Sequence, residues 1–244
     1  MISANVSVFS IGKAVGRGGE VPMSWQYTGT NFSVVSQDAS PLDITWDGSH
    51  FWVAGSSNDK LFKYTQAGVY TGTSFSVASQ APSPYGIAWD GTYFWVADYT
   101  NRRVYKYNAS GTYQNFSFSI SGANANIRSS GMVWDGTHLW VLDSSGDKAY
   151  KYTTGGTYTG VNFSVASQQT SPQGITWDGT YFYVIGQVPD SVFLYNASGV
   201  YQGVTFNVDP TPRSAHGIAW DGTDLWALGI LNDRVYKYSY LPTP

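Results

Sequence analysis

The sequence predicts an all-β chain folded as a five-bladed β-propeller of four-stranded antiparallel blades. Three features recur along the 244 residues at nearly constant spacing: a Trp-Asp-Gly tripeptide, an aromatic-x-Tyr segment that ends 18 residues after its Trp, and a Tyr that opens the following segment. Successive tripeptides are 43, 45, 43 and 43 residues apart, which is the length of one blade. The landmarks are Trp46, Trp89, Trp134, Trp177 and Trp220; Tyr64, Tyr107, Tyr152, Tyr195 and Tyr238; and Tyr27, Tyr70, Tyr113, Tyr158 and Tyr201.

Each repeat divides into four predicted strands. In the second repeat, residues 86–89 form a short apolar strand, and Asp90-Gly91-Thr92 makes a tight hairpin turn in which glycine supplies the positive φ. Residues 93–97 are aromatic and β-branched, as a second strand requires. A third strand is predicted at 103–107 and a fourth at 112–118, each preceded by a polar turn.

The order of the landmarks predicts how the ring closes. The first landmark, Tyr27, belongs to an outer strand with no preceding blade, and the last, Tyr238, belongs to a third strand with no following outer strand. Residues 25–35 are therefore predicted to complete the blade built from residues 217–238, which leaves only short, protected sheet edges. The chain then divides into an N-terminal arm, residues 1–24, and a propeller, residues 25–244.

The repeated aromatic and acidic residues are predicted to be structural. Nine of the ten Trp belong to the repeat, and large aromatic side chains can fill the wedges between blades. The aspartate of each tripeptide is present in every blade and is assigned to its turn. These aspartates are Asp47, Asp90, Asp135, Asp178 and Asp221.

Residues 86–98 followed by 101–105 resemble the NHL-repeat β-propeller family. That family's pattern runs Gly-Ile-Ala-Val-Asp, a turn, an apolar strand ending Val-Ala-Asp, and an Asn-Arg-Val strand. The resemblance implies the propeller fold but no single activity, because such propellers serve as enzymes, RNA binders and interaction platforms. The aspartate that ends the second strand is retained as Asp98 and Asp143, and glycine replaces it in the other blades, at Gly55, Gly186 and Gly229.

Composition excludes several partners and chemistries. Only 12% of residues are charged, and a net charge of −3 with a pI near 5.4 predicts no nucleic-acid partner. There is no cysteine, no apolar run of about 18 residues predicting membrane insertion, and no recognisable secretory signal at the N-terminus. With three His, one Glu and no phosphate-loop, esterase or zinc-protease motif, we expect no cofactor and no enzyme activity.

Ligand binding is expected where the repeat departs from its own symmetry. The position just before each inner strand carries Leu42, Tyr85, Ser130, Gln173 or His216, and these residues are predicted to line one mouth of the central channel. With Tyr99, they form the candidate ligand or partner face. His216, Asp98 and Asp143 also suggest a metal-dependent lyase or hydrolase, a weaker hypothesis than a surface histidine bonded to a loop.

The N-terminal arm motivates the functional prediction. Val6, Val8, Phe9 and Ile11 alternate with polar residues as in a strand, and a Gly-rich stretch follows them. Such a tethered strand can add to a neighbouring subunit and, docked head to tail, build a filament. We therefore predict a non-enzymatic structural protein of a filament or virion appendage, with self-association or another structural protein as its partner, at an extracellular or virion surface.

A glycan-binding propeller is the alternative. Tyr85 and Tyr99, flanked by hydroxyl and amide side chains, suit stacking on sugar rings. The chain also contains six Asn-x-Ser sequons, which are candidate N-glycosylation sites. They begin at Asn5, Asn31, Asn108, Asn115, Asn162 and Asn196.

Overall fold

The computed structural model describes residues 23–208 and 214–243, and these residues form twenty strands in five four-stranded antiparallel sheets. Each sheet is one blade of a five-bladed β-propeller, as predicted. The first blade is β2 (Pro41–Trp46), β3 (His50–Gly55), β4 (Lys60–Thr65) and β5 (Tyr70–Ser76). The second is β6 (Pro84–Trp89), β7 (Tyr93–Asp98), β8 (Arg103–Asn108) and β9 (Tyr113–Ser119).

The remaining blades repeat this order with one exception at the chain end. The third blade is β10 (Ser129–Trp134), β11 (Leu139–Asp143), β12 (Lys148–Tyr152) and β13 (Tyr158–Ser164). The fourth is β14 (Pro172–Trp177), β15 (Tyr181–Gln187), β16 (Asp190–Asn196) and β17 (Tyr201–Asn207). The fifth is β18 (Ala215–Trp220), β19 (Leu225–Gly229), β20 (Arg234–Pro242) and, as its outer strand, β1 (Met23–Ser33).

The ring closes through the pairing of β1 with β20, as the order of landmarks predicted. The two strands are antiparallel and pair from Met23 opposite Pro242 to Ser33 opposite Arg234, with a register shift between Tyr27 and Asn31. β1 begins two residues before the predicted boundary, so Met23 and Ser24 belong to the propeller and not to the arm. The predicted arm strand with Val6, Val8, Phe9 and Ile11 lies outside the described residues.

The hairpin aspartates explain why the tripeptide recurs. In the second blade, Asp90 accepts hydrogen bonds from the backbone N–H groups of Thr92 and Tyr93, at 2.8 and 2.7 Å, and from the Trp95 indole N–H at 2.7 Å. The same carboxylate therefore shapes the turn and fixes the large ring of the next strand. This arrangement occurs in all five blades; in the fourth, the Tyr183 hydroxyl donates to Asp178 at 2.9 Å in place of an indole.

Aromatic side chains form the core between blades. At the closing blade, Phe32 of β1 lies 5.9 Å from Trp226 in its own blade and 6.0 and 5.6 Å from Phe51 and Tyr64 in the first blade. Phe163 occupies the corresponding position between the third and fourth blades. Aromatic side chains of the outer strand therefore pack against the following blade.

No helix in residues 23–208 or 214–243 has the length and apolar character to cross a membrane.

Candidate functional site

The five inner strands, β2, β6, β10, β14 and β18, begin at the same end of the ring. We call this end the channel mouth. Because each inner strand runs from the mouth to its Trp-Asp-Gly hairpin, the hairpins lie at the opposite end, which we call the hairpin face. His50 and His138 follow hairpins and lie on the hairpin face, and His216 lies at the mouth, as predicted.

A β-bulge near the start of every inner strand carries the varied residue. In the first blade, Pro41 is opposite Gly55 and Asp43 is opposite Ala54, so Leu42 is the extra residue. The same register shift occurs at the start of β6, β10, β14 and β18. An extra residue leaves the regular pleat and can be turned towards a site. The bulges therefore bring one apolar, one phenolic, one hydroxyl, one amide and one imidazole side chain to the mouth: Leu42, Tyr85, Ser130, Gln173 and His216.

Directly below the mouth, the strands pack closely at the ring axis. The residue after the varied position is glycine in four blades, and a side chain at Gly174 would overlap the backbone carbonyl oxygen of His216. The first blade has Asp43 at this position, and its side chain is 1% exposed. Its Oδ1 accepts the backbone N–H of Ile44 at 2.9 Å, and its Oδ2 accepts that of Ile87 at 2.8 Å. The Asp43 carboxyl thus links the first and second blades at the axis.

Burial raises the pKa of Asp43 well above its ordinary value, because an ionised carboxylate loses its hydration there. The backbone N–H groups of Ile87, Ile44 and Met132 act in the opposite direction. Asp43 was not singled out in the sequence. Its position could have been noticed, because the other four repeats have glycine there.

His216 is the second buried titratable group at the mouth. The residue is 4% exposed, and Nδ1 lies 2.7 Å from the carbonyl oxygen of Leu42. A carbonyl oxygen only accepts, so Nδ1 carries the proton and Nε2 keeps its lone pair. Burial lowers the pKa of His216 to about 4, against the smaller opposing effect of the Leu42 carbonyl. The imidazole is therefore neutral at pH 7 and buried, and the expectation of a histidine at the surface was wrong.

Tyr85, Tyr99, Ser130 and Gln173, which lie at the mouth with His216, are polar residues without a formal charge. Tyr85 stacks on Tyr99 with ring centroids 4.8 Å apart and lies 6.2 Å from the His216 ring. Both tyrosines are half-buried. Ser130 donates to the Pro172 carbonyl at 2.9 Å, and the Gln173 amide, which is also half-buried, donates to the Ser171 hydroxyl at 3.0 Å. The structure therefore brings the predicted ligand-face residues to one end of the ring, with His216 and Tyr85 as neighbours.

Asp98 and Asp143 do not join His216. Asp98 accepts the backbone N–H of Ser83 at 2.7 Å, and Asp143 accepts that of Arg128 at 2.9 Å, so each carboxylate is used to hold its own connecting loop. Where glycine replaces this aspartate, a side chain from the loop takes its place: Asp38 fills the space above Gly55, and Gln169 fills that above Gly186. Within the described ranges, no three His, Asp or Glu side chains lie together as a metal site would need.

The described sequons have mostly structural contacts. The Asn31 and Asn162 amide nitrogens donate to the Tyr27 and Tyr158 hydroxyls at 2.5 and 2.8 Å. Asn108 and Asn196 accept backbone hydrogen bonds inside their turns. Asn115 is exposed with a φ of 53°, and Asn5 lies outside the described residues. Glycosylation of these sites stays a prediction.

Solved structures with the same fold include enzymes. Glutaminyl cyclase from Myxococcus xanthus is 13% identical to this chain, with 93% of this chain and 100% of the cyclase covered and a TM-score of 0.69. Virginiamycin B lyase from Staphylococcus aureus is 15% identical, with 89% and 99% covered and a TM-score of 0.53. A catalytically inactive variant of that lyase, with one histidine replaced by alanine and quinupristin present, is 16% identical, with 91% and 89% covered and a TM-score of 0.53.

No protein-family model and no curated protein matches the sequence. The NHL-repeat identity is therefore not confirmed, and the propeller fold itself is. The prediction that the chain is not an enzyme is contradicted, because 93% and 89% of the chain match the folds of two proteins that are enzymes. That prediction rested on the absence of short catalytic motifs, which a site assembled from residues of different repeats would not require.

Proposed function

We propose that this protein is an enzyme of the cyclase or lyase type that transfers a proton at the channel mouth, with His216 as the acceptor. The observation that carries the proposal is the His216 imidazole, which is fixed through Nδ1, neutral at pH 7, and has its Nε2 lone pair uncommitted within the described residues. A cyclase and a lyase both have to remove a proton from one atom while a bond to another atom breaks. An imidazole held in one tautomer suits that step.

The mouth also favours a particular class of substrate. Its varied side chains are aromatic, amide, hydroxyl and apolar, and none of the five carries a charge at pH 7. An uncharged amide or ester group of a peptide fits such a surface better than a carboxylate or phosphate does, because neither ion would find a compensating charge there. The stacked pair Tyr85 and Tyr99 offers a flat wall against which a planar group can lie.

The similar structures support the same class. The cyclase is named for a glutaminyl group, and the lyase is named for virginiamycin B and has been solved with quinupristin. Loss of activity in the lyase after replacement of one histidine indicates that this fold can depend on a single imidazole. In the present chain, His216 is the histidine at the mouth.

Asp43 is assigned a positioning role. Its carboxyl holds the backbone of Ile44 and Ile87 and lies beneath Leu42, whose carbonyl fixes the His216 ring. Both carboxyl oxygens of Asp43 accept backbone N–H groups, so this side chain supports the floor of the mouth.

The test is a turnover assay with two probes, a peptide with N-terminal glutamine and virginiamycin B, read by mass spectrometry. His216→Asn keeps an amide N–H that can donate to Leu42 but removes the Nε2 lone pair, so turnover should fall at least about 100-fold. Gln202→Asn, at an exposed position on the outer strand of the fourth blade, is the control and should keep full activity. Full activity in His216→Asn, or no turnover of either probe by a protein with a cooperative melting transition, overturns the proposal.

The pH profile gives a second readout. Because the pKa of His216 is about 4, the imidazole stays unprotonated at and above neutral pH. The rate should be level from pH 7 down to about 5 and fall as the pH approaches 4. A rate that already falls below pH 7 would mean that a different group takes the proton.

Assembly through the N-terminal arm and binding of glycans at Tyr85 and Tyr99 stay predictions. Neither is required by the proton-transfer proposal, and light scattering of the full chain and of a chain without residues 1–20 tests the first of them.

A further inference from the structure

The hairpin face carries a pocket between the third and fourth blades, far from the mouth. Its volume is about 210 Å³. The third blade contributes Asp135, Thr137, His138 and Lys151, and the fourth contributes Trp177, Phe182 and Ala197. The pocket is smaller than the roughly 300–1,000 Å³ typical of sites for drug-sized ligands, so it suits a ligand with a single ring.

The cleft between the first and second blades has nearly the same residues. Six of the seven pocket residues have an identical counterpart 88 positions earlier, and the seventh, Thr137, corresponds to Ser49. The identical counterparts are Asp47, His50, Lys63, Trp89, Phe94 and Ala109. The Ser49 hydroxyl lies 2.7 Å from His50 Nδ1, whereas His138 Nδ1 has no hydrogen-bond partner among the described residues. Two sets of distances are matched between the clefts. The lysine Nζ lies 3.6 Å from the Asp135 carboxylate in one cleft and 3.7 Å from that of Asp47 in the other. The wall is the same too, with Trp177 and Phe182 rings 4.4 Å apart and Trp89 and Phe94 rings 4.5 Å apart.

The other three clefts between blades have different side chains at these positions. Between the fifth and first blades, Gln66 takes the position of Ala109 and donates to the Asp221 carboxylate at 3.0 Å. Between the second and third blades, Lys106 lies 3.7 Å from the centre of the Tyr93 ring. Between the fourth and fifth blades, Leu194 replaces the lysine. The six identical residues therefore occur together in two of the five clefts. Duplication of a blade does not by itself produce this combination.

The contacts inside the pocket define the chemistry of a ligand. Asp135 is already bonded to the backbone N–H groups of Thr137 and His138 and to the Trp140 indole, which lower its pKa against the opposing effect of its own burial. Lys151 balances that carboxylate, so the site has no net charge when the histidine is neutral. The Lys151 ammonium has three N–H donors, more than one carboxylate contact uses, and the half-buried Trp177 ring provides a flat apolar wall.

We propose that the two clefts are twin binding sites for an uncharged sugar ring. A pyranose has an apolar face that packs on an aromatic ring and hydroxyl groups around its edge that accept from lysine and exchange hydrogen bonds with histidine. A ligand with a net charge would disturb the balance between Lys151 and Asp135. This site is separate from the proposed catalytic mouth, and it places glycan binding on the hairpin face instead of at Tyr85 and Tyr99.

The experiment uses the chain's own filled cleft as a design. Ala197→Gln and Ala109→Gln copy Gln66 and close one pocket each without removing any core side chain. Thr154→Gln, at the corresponding position in the cleft between the second and third blades, is the matched control. An array of neutral mono- and oligosaccharides identifies the best binder, and isothermal titration calorimetry then measures its stoichiometry.

The expected result is two sites per chain for the unchanged protein and for Thr154→Gln, one site for each single pocket variant, and at least a tenfold loss of affinity in the double variant. Absence of binding to every neutral glycan overturns the proposal, as does a double variant that binds normally. Turnover at the mouth should be equal in all these proteins, so failure of this proposal and failure of the enzyme proposal are told apart.

Discussion

Ring closure by β1 can be measured with one pair of matched substitutions. Phe32 and Phe163 have equivalent surroundings, with exposures of 7% and 6%. The Phe32 ring centroid lies 5.9, 6.0 and 5.6 Å from the ring centroids of Trp226, Phe51 and Tyr64. Phe163 lies 5.3, 5.5 and 5.5 Å from its own three partners, Trp140, Phe182 and Tyr195. Phe163 belongs to a continuous blade, whereas Phe32 belongs to the strand that closes the ring.

Replacement of either phenylalanine by alanine should lower the free energy of unfolding by about 3–5 kcal/mol, the usual loss for a buried aromatic side chain. For a chain of this size, that corresponds to a fall in Tm of roughly 6–20 °C. Urea unfolding and differential scanning calorimetry measure both quantities.

The comparison between the two variants is the decisive result. Equal losses show that the closing blade belongs to the same cooperative unit as the continuous blades. A loss below about 1 kcal/mol for Phe32→Ala, together with a loss of 3 kcal/mol or more for Phe163→Ala, would refute this reasoning, because the terminal strand would then separate from the ring before global unfolding.

Three further predictions follow from single contacts. His216 has a pKa of about 4 in the folded protein, against an ordinary value of 6.5, so the chain takes up a proton on unfolding between pH 4 and pH 6.5. The free energy of unfolding should therefore fall by about 3 kcal/mol as the pH drops from 6.5 to 4. Urea unfolding of His216→Asn should lack this part of the pH dependence. Gly174→Ala should lower the free energy of unfolding by at least about 2 kcal/mol, because the new methyl group would overlap the His216 carbonyl. Gly86→Ala should lower it by less in the same assay, because its methyl group would lie 3.1 Å from Gly131. Tyr183→Phe removes the 2.9 Å hydrogen bond to Asp178 and should lower the free energy of unfolding by about 1.5–3 kcal/mol. Tyr195→Phe should lower it by less, because the Tyr195 hydroxyl lies 3.4 Å from Gln168. Equal losses of stability would argue against the structural role of the hairpin aspartates.

Several candidate groups have contacts that only the folded structure shows. Asp98 and Asp143 were candidates for chemistry because they are acidic and lie near the mouth, but each is bonded to its own connecting loop. Asp38 and Gln169, each eight residues before the Trp of its tripeptide, take over this role in two of the blades that have glycine. The prediction of no enzyme activity rested on the absence of a contiguous catalytic motif, and it is contradicted by the fold that the chain shares with enzymes.

The sequence by itself determined the number of blades, the four strands in each, and the closure of the ring by β1. These features are set by short-range patterns, namely apolar alternation, turn glycines, and an aspartate that bonds an aromatic ring five residues later, and each pattern is repeated five times. Repetition makes such signals readable even when any single copy is weak.

Only the tertiary structure decided the character of the mouth. The bulges that present Leu42, Tyr85 and His216, the burial of Asp43 at the axis, and the shift in the pKa of His216 arise where inner strands from different repeats pack together. The twin clefts of the hairpin face likewise need side chains from two blades. The physical reason is that hydration, hydrogen-bond partners and packing of these groups are properties of the closed ring, and residues adjacent along the chain do not define them.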